Sequence, residues 1–427
     1  MDTTPVPRTL RKRTIFLTSL LLVCVSNAQA DAYGDARAEL IDAYRGADYA
    51  AMRQAADKSL LARPLFPGAL FNRALAETLD EDYAAAMATL GQLADMRIHF
   101  DIADVDEFAP LQALPSWPEF ERRVAELDKP VGEVAVAGRY SSSDFVPEGI
   151  ATGSNGEIYL GSIRHGTIVV LGKDTDVLSE GVHDDYWSVF GMRRVGNKLW
   201  FASSAVPQYA QVDASIAGAA GLFCLDLDTR TISRHAVLPD NGGMQVLGDL
   251  VIKGSDIYTT DSVSGELYRY SIRDDEFTEL VAAGTFHSPQ GLELDASAEH
   301  LYVADYNGGL FRVGLADGEV RKLKTPDAVS DYGIDGLYRY NNELIAIQNG
   351  IRPHRVVAMQ LSDDGLAVVA SRTLAANLDA FDEPTLGTIH GDDLLFVANS
   401  HWNRFDRDNN LPENLDGPVI LRVALKN

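Results

Sequence analysis

Oxygen-bearing side chains stand next to recurring glycines in the second part of the chain. These residues are Glu148, Asp249, Gln290 and Asp335. Carboxylate and amide oxygens are the ligands of a hard divalent cation, and calcium takes about six to eight of them. Two carboxylates would also balance the charge of the ion. If the fold brings these turns together, the sequence predicts a divalent cation site, with calcium as the first candidate.

Two histidines lie close to the same turns and could act as general bases. His287 comes just before the Gln290 turn, and His390 comes just after the Gly387 turn. Asp249 is a third candidate for assisting proton transfer. For any one histidine, a hydrogen-bonded structural role is the more common one. The chain has no Gly-x-Ser-x-Gly elbow, no His-Glu-x-x-His motif and no Walker loop, so nothing supports those hydrolase and nucleotide sites.

The candidate residues are embedded in a repeated β-pattern. Residues 288–313, SPQGLELDASAEHLYVADYNGGLFRV, contain short strand-like runs joined by a Gly-rich turn, which is typical of a hairpin. Equivalent units begin near residues 147, 189, 247, 334 and 386. Six units at a spacing of roughly 40 to 60 residues predict a six-bladed β-propeller rather than a helical solenoid. The strands are apolar almost throughout because each sheet is covered on two faces.

In a propeller, the turns entering the innermost strands meet at one end of the central channel. Glu148 there is better explained as a ligand than as core, because a buried unpaired carboxylate is costly. Asp335 could equally cap its own turn, and Gln290 could equally bond to neighbouring backbone. Asp249, next to Gly248, is more often a turn residue than a ligand. The metal site is therefore predicted from Glu148, Gln290 and Asp335.

Three of these turns carry a family resemblance. Pro147 to Ala151, the segment SPQGLELD and the Ile334 to Leu337 turn resemble blade entries of the gluconolactonase, senescence marker protein (regucalcin) and paraoxonase superfamily. The resemblance extends from Glu133 to the C-terminus and rests on these entries. It implies a six-bladed propeller with a metal in the channel and a metal-dependent hydrolase activity of the lactonase type, acting on a small molecule such as a sugar lactone.

The resemblance also marks departures. Glu148 and Asp335 match the metal-binding glutamate and aspartate of that superfamily. Gln290 replaces an asparagine, Gly248 stands where paraoxonases have another asparagine, and Phe190 stands where they have a histidine. The alternative is therefore a non-catalytic propeller that binds a small molecule or a protein.

Residues 31–129 differ from the propeller segment, residues 130–427, because they are Ala-rich with helical periodicity. Asp48-Tyr49-Ala50-Ala51 recurs 34 residues later as Asp82-Tyr83-Ala84-Ala85, which is the tetratricopeptide period. About two such units fit, fewer than the three or so that stand alone, so we expect them to dock on the propeller. They could shield one propeller face or form a short groove for a protein partner.

The first thirty residues are typical of a secretory signal peptide. Basic residues from Arg8 to Arg13 precede an apolar core, Ile15 to Val25, and Ala28-Gln29-Ala30 is a cleavage pattern. We expect an exported protein, periplasmic or secreted from a bacterium, with no membrane span. Cleavage leaves Cys224 as the single cysteine, predicted to be a buried small hydrophobe. The formal net charge of −25 argues against a nucleic-acid partner.

Overall fold

The computed structural model describes residues 32–172, 175–181 and 185–426. The predicted signal peptide, residues 1–30, lies outside this part of the chain. The described chain is a helical segment followed by a six-bladed β-propeller, so the predicted fold class is confirmed. None of the described helices combines the length and the apolar character that crossing a bilayer requires.

The helical segment begins with two helical hairpins. Its helices are α1 Ala32–Arg45, α2 Tyr49–Ala62, α3 Pro67–Leu79, α4 Tyr83–Asp95, α5 Ala109–Gln112 and α6 Trp117–Leu127. The repeated Asp-Tyr-Ala-Ala pattern marks the start of the second helix in each hairpin. Asp48 accepts a hydrogen bond from Ala51 N, and Asp82 accepts one from Ala85 N, each as the N-cap. Asp satisfies the free amides of a first turn, which is why the pattern recurs at helix starts.

The propeller consists of six four-stranded antiparallel sheets. Blade 1 is β2 Pro147–Thr152, β3 Ile158–Ser162, β4 Ile168–Leu171 and β5 Asp176–Ser179; blade 2 is β6 Ser188–Val195, β7 Lys198–Ser204, β8 Ala220–Asp226 and β9 Thr231–Val237. Blade 3 is β10 Leu247–Lys253, β11 Asp256–Asp261, β12 Glu266–Ser271 and β13 Glu276–Val281; blade 4 is β14 Pro289–Leu294, β15 His300–Asp305, β16 Gly309–Gly314 and β17 Val320–Lys322. Blade 5 is β18 Ile334–Tyr340, β19 Glu343–Gln348, β20 Arg355–Leu361 and β21 Val368–Ala376.

Blade 6 joins the two ends of the propeller. It contains β22 Gly387–His390, β23 Asp393–Val397 and β24 Val419–Ala424, and its outermost strand is β1 Val134–Arg139. β1 pairs with β24 in antiparallel register, with Val134 opposite Val423. The ring is therefore closed by backbone hydrogen bonds between its first and last strands.

The recurring glycines allow neighbouring inner strands to approach closely. A Cβ on Gly149 would lie 2.2 Å from Phe190 O on the next inner strand, and one on Gly291 would lie 2.5 Å from Leu337 N. Any side chain at these positions would clash with the adjacent backbone. Gly149 and Gly291 are thus fixed by packing around the channel.

The helical segment docks on blade 5, as expected for two hairpins that cannot stand alone. His99 N donates to Arg352 O at 2.8 Å, and Tyr332 OH donates to Pro64 O at 2.8 Å. Ile351 of the propeller belongs to the apolar core of the helical segment. Tyr332 precedes β18 by two residues, so the helices lie at the propeller face where the inner strands begin. That face carries the candidate site.

Candidate functional site in the central channel

β-bulges position the candidate residues. The ladder register between the first two strands of a blade shifts at the recurring turn in blades 1 to 5, for example between Pro147 and Ile150 and between Pro289 and Leu292. A bulge adds a residue to one strand and re-aims its side chains. Glu148, Gln290 and Asp335 each occupy the second position of an inner strand, at this irregularity.

Glu148 is covered by an aromatic side chain from blade 6. The Glu148 carboxylate is only 6% exposed, and Trp402 Nε1 donates a hydrogen bond to its Oε2 at 2.7 Å. Trp402 also packs against Phe190, with ring centroids 6.3 Å apart and planes tilted by 32°. The position that carries a histidine in paraoxonases therefore supports an indole over the carboxylate.

Asp335 is held by a chain of neutral side chains. Asn349 Nδ2 donates to Asp335 Oδ2 at 2.7 Å, and Tyr306 OH donates to Asn349 Oδ1 at 3.0 Å. Both partners come from loops that follow the second strand of a blade. The amide has its orientation fixed at both ends, so it presents an N–H to the carboxylate without supplying a positive charge.

The pKa shifts show that three carboxylates influence one another. Burial, then Asp335, then Glu383 raise the pKa of Glu148 well above its usual range, against the lowering effect of Trp402. Burial and Glu383 raise the pKa of Asp335 to about 7, although Asn349 lowers it. Burial also raises the pKa of Glu383. Besides burial, the groups that shift these pKa values are acids and neutral donors. The cluster therefore lacks a strong positive partner, and burying charge without one is costly.

Backbone strain accompanies two of these acids. Val146, two residues before Glu148, has a φ of 47°, and Glu383 has a φ of 61°. Positive φ is rare for residues with a side chain, and most of all for a β-branched valine. Such strain persists where the surrounding structure enforces it, often at functional sites. The entry turns of blades 1 and 6 are therefore held in defined, unfavourable conformations.

Asp249 has a different environment from the one predicted. Its buried carboxylate accepts a hydrogen bond from Arg193 Nη2 at 3.1 Å, and a second from Leu250 N at 2.8 Å. Gly191 makes room for this pair, since a Cβ there would lie 2.3 Å from Asp249 Oδ1. Arg193 also lies over the Tyr338 ring at 5.7 Å. Asp249 is thus committed to an ion pair inside the channel, which disfavours its predicted role in proton transfer.

Gln290 and Thr385 supply further oxygens. Gln290 Nε2 donates to Ser288 Oγ at 3.0 Å. This hydrogen bond turns Gln290 Oε1 towards the channel side of Gly248, and a Cβ added to Gly248 would lie 3.4 Å from that oxygen. The Thr385 hydroxyl is buried without a hydrogen bond of regular geometry, yet it lies near enough to Glu148 to lower the pKa of that carboxyl. Sequence position alone left the orientation of Gln290 open.

The two predicted histidines are both exposed, and His390 lies apart from the carboxylate cluster. His287 is exposed, and its backbone N–H donates to Asp305 Oδ2 at 2.8 Å. His390 is exposed at the far end of β22, opposite Asp393 at the hairpin, while the entry turn lies at the other end of that strand. His390 therefore does not face the channel at the entry turns, whereas a channel-facing His287 stays a prediction. The hairpin geometry explains this for His390, because one strand length separates it from the mouth.

The two longest insertions meet near the channel mouth. Residues 206–219 extend from blade 2, and residues 401–417 extend from blade 6. Gln208 Nε2 donates to Asn409 Oδ1 at 3.1 Å, and Arg164 Nη1 bonds to Asn409 O at 3.2 Å. Trp402 belongs to the second insertion. We call residues 401–417 the cover loop, because it places the indole over Glu148.

The residues fit a hard divalent cation in part. Trp402 holds Glu148, Asn349 holds Asp335, and Ser288 holds Gln290, which resembles the outer hydrogen bonds that orient metal ligands. All the ligand atoms are oxygens, the donor set of calcium or magnesium. Among the described residues, no three His, Cys, Asp or Glu side chains are grouped to hold a metal by themselves. A cation here would therefore need the Gln290 amide or the Thr385 hydroxyl as well.

Sequence reasoning missed Glu383, Trp402, Asn349 and Arg193. Glu383 lies two residues before Thr385, whereas Glu148 directly precedes its glycine, so aligning the repeats on glycine concealed it. Trp402 lies in the insertion, where repeat patterns do not apply. Asn349 could have been suspected because a polar residue also follows the second strand of other blades. Arg193 gave no signal, as it resembles any charged residue at the end of a strand.

The fold and this channel cluster define a six-bladed propeller with an acidic channel and an N-terminal helical segment. Among solved structures, it is similar to regucalcin from Agrobacterium tumefaciens, described as a calcium-binding protein, with 16% identity over 68% of this chain and 96% of that chain and a TM-score of 0.47. The PQQ-bound aldose sugar dehydrogenase from Streptomyces coelicolor matches at 14% identity over 69% and 100% of the two chains, TM-score 0.47. An inactive virginiamycin B lyase from Staphylococcus aureus with quinupristin matches at 14% identity over 69% and 100%, TM-score 0.47.

No family model and no curated protein matches the chain. Since the structural similarities are low in identity, they concern the propeller fold alone.

Proposed function

We propose that this protein is an exported hydrolase of small lactones or esters that depends on a divalent cation in the propeller channel. The observation that carries this proposal is the pair Glu148 and Asp335, two buried carboxylates with raised pKa values, each anchored by a neutral donor, with Asp335 contributing to the raised pKa of Glu148. A cation would relieve their repulsion. The signal-like N-terminus supports a periplasmic location.

Glu148, Asp335 and Gln290 would hold the cation, and Thr385 offers a fourth oxygen. A bound divalent cation supplies polarisation of a carbonyl oxygen and acidification of water. Trp402 and Asn349 keep the two carboxylates oriented, and the cover loop excludes bulk water from Glu148. We assign the proton-accepting role to Glu383, because burial raises the pKa of this carboxyl above its usual range, whereas Arg193 engages Asp249.

The test is calorimetric titration of calcium into wild type and the variant Glu148→Gln. The matched control is Glu266→Gln, since Glu266 is a similarly buried glutamate that bonds Ser264 and Tyr268 on blade 3. We expect binding by wild type and the control and none by Glu148→Gln, with chelator-sensitive hydrolysis of a lactone and ester panel following the same order. Retained turnover in Glu148→Gln would contradict the proposal.

The closed mouth favours a second candidate, a propeller that binds a small molecule or a protein without catalysis. Trp402 and Phe190 leave Glu148 almost inaccessible, and His390 lies at the far end of its strand. In this case the tetratricopeptide-like hairpins α1 to α4 would contribute the surface for a protein partner. Calcium binding without hydrolysis of any panel substrate would support this candidate over the first.

A further inference from the structure

A small cavity lies between the helical segment and blade 5, away from the channel cluster. It has a volume of about 20 Å³. A cavity of roughly 10 to 15 Å³ on this measure holds one water-sized particle. Met96 and Arg97, just after α4, line one side. The propeller side includes Ser330, Arg355 and Thr373.

Arg355 is the buried charge of this cavity. Its side chain bonds through Nε to Gln348 Oε1 at 2.7 Å, and through Nη1 to Met96 O at 3.2 Å and Arg97 O at 3.0 Å. The residue is only 5% exposed. Every one of these acceptors is neutral. Burial and the nearby Arg97 lower the pKa of Arg355 to about 9, which reflects the missing counter-charge.

The cavity lining lacks carboxylates although the chain has 62 Asp and Glu residues. Hydroxyl groups are present instead. Ser330 Oγ accepts from Tyr332 N at 3.4 Å, so its own proton is available to another acceptor. Ser371 and Thr373 lie on β21, two residues apart, and therefore on the same face of the strand. Ser371 is exposed and Thr373 is half-buried, so these two hydroxyls border the cavity on its solvent side. No carboxylate is among the described residues that line it.

We propose that this cavity binds a small monovalent anion of the chloride type. Arg355 supplies the charge, and the hydroxyls of Ser330, Ser371 and Thr373 supply hydrogen bonds. The carbonyls after α4 offer Arg355 only the partial negative charge of a helix end. A buried cation is costly unless a full counter-charge accompanies it. One chloride matches the size of the cavity, and its negative charge complements the positive charge of Arg355.

The anion would strengthen the docking of the helical segment. Arg355 already bonds to both Met96 and Arg97, so an anion that fixes its guanidinium also fixes the end of α4 on blade 5. Chloride binding to the folded state would then raise the stability of the whole chain by mass action.

The experiment follows thermal unfolding of the full chain in mixtures of sodium chloride and sodium gluconate at constant ionic strength. The variants are Thr373→Val and Ser371→Ala, which remove donors but keep Arg355. The matched control is Thr278→Val, an exposed threonine on β13, the outermost strand of blade 3. We expect a saturable rise of Tm with chloride in wild type and control. The half-saturating concentration should rise about tenfold in Thr373→Val, since a hydrogen bond to a charged group is lost.

Crystals soaked in bromide give an independent measurement, because bromide scatters anomalously. A peak within hydrogen-bond distance of the Arg355 guanidinium would support the proposal. Two results would overturn it: a Tm that is the same in chloride and gluconate, or a cavity that contains water and no halide.

Discussion

Trp402 donates its indole N–H to the carboxylate of Glu148, a residue 254 positions earlier in the chain. This hydrogen bond connects the cover loop of blade 6 to the first inner strand of blade 1. It orients the carboxylate while withholding it from solvent. Access to the channel cluster and the orientation of the Glu148 carboxylate therefore both depend on Trp402.

Replacing Trp402 by Phe tests this dual role. The ring would still pack on Phe190, but the hydrogen bond to Glu148 would be lost. We expect calcium affinity to fall by about tenfold or more, the effect of removing an outer partner of a metal ligand. Calorimetric titration measures it, with Trp200→Phe in blade 2 as the control. Equal affinity in both variants would show that the indole only covers the site.

The pH dependence of stability tests the carboxylate cluster. Burial and neighbouring acids raise the pKa of Asp335 from 3.8 to about 7, so the folded state holds a proton that the unfolded state releases. This contribution to stability is complete below the unfolded pKa and is lost as the pH rises through about 7.

In the presence of a chelator, we expect Tm to fall from about pH 5 to about pH 8 by this linkage. The fall should be smaller in Asp335→Asn and in wild type with saturating calcium. Thermal unfolding at a series of pH values measures all three. An identical pH profile for Asp335→Asn and metal-free wild type would contradict the assignment.

Gly191 and Gly91 form a matched pair of glycine substitutions. A Cβ on Gly191 would lie 2.3 Å from Asp249 Oδ1, whereas nothing lies within 4 Å of a Cβ on Gly91 in α4. Gly191→Ala should lower the free energy of unfolding by about 1 to 3 kcal/mol through overpacking. Gly91→Ala should raise it by up to about 1 kcal/mol through helix propensity. Urea denaturation measures both, and a neutral Gly191→Ala would refute the close contact.

The Arg193–Asp249 pair makes a prediction about non-additivity. Arg193→Met leaves the buried Asp249 without its positive partner, which should cost about 3 to 5 kcal/mol of unfolding free energy. Adding Asp249→Asn to Arg193→Met should recover much of that loss, because the buried charge is then gone. A double-mutant cycle by urea denaturation measures the coupling. Additive losses would mean that the two side chains do not depend on each other.

The sequence predicted the inner three strands of each blade well, because burial on both faces makes them apolar. It did not indicate the outermost strands, such as β9 Thr231–Val237, since their residues are largely exposed and polar. The position of β1 in blade 6 also escaped prediction, because pairing between distant strands leaves no local pattern.

For the channel site, the sequence located Glu148, Gln290 and Asp335 at equivalent strand positions but could not establish their partners. The Asn349 amide, the Trp402 indole and the Arg193 guanidinium all reach the channel from other strands or loops. Which side chain pairs with which depends on the ring geometry. Asp249 illustrates this, since the space above Gly191 lets it pair with Arg193, a contact that disfavours its predicted role in proton transfer.

The pairing of β1 with β24 has a consequence for biosynthesis. β1 leaves the ribosome before any blade exists, and its partner β24 follows only after the strands of blades 1 to 5. Until then blade 6 cannot assemble, and blades 1 and 5 remain uncovered on one side, exposing apolar faces and unpaired strand edges to other chains. A chain truncated before Val419 would stay in that open state permanently, with the channel cluster split between unjoined ends.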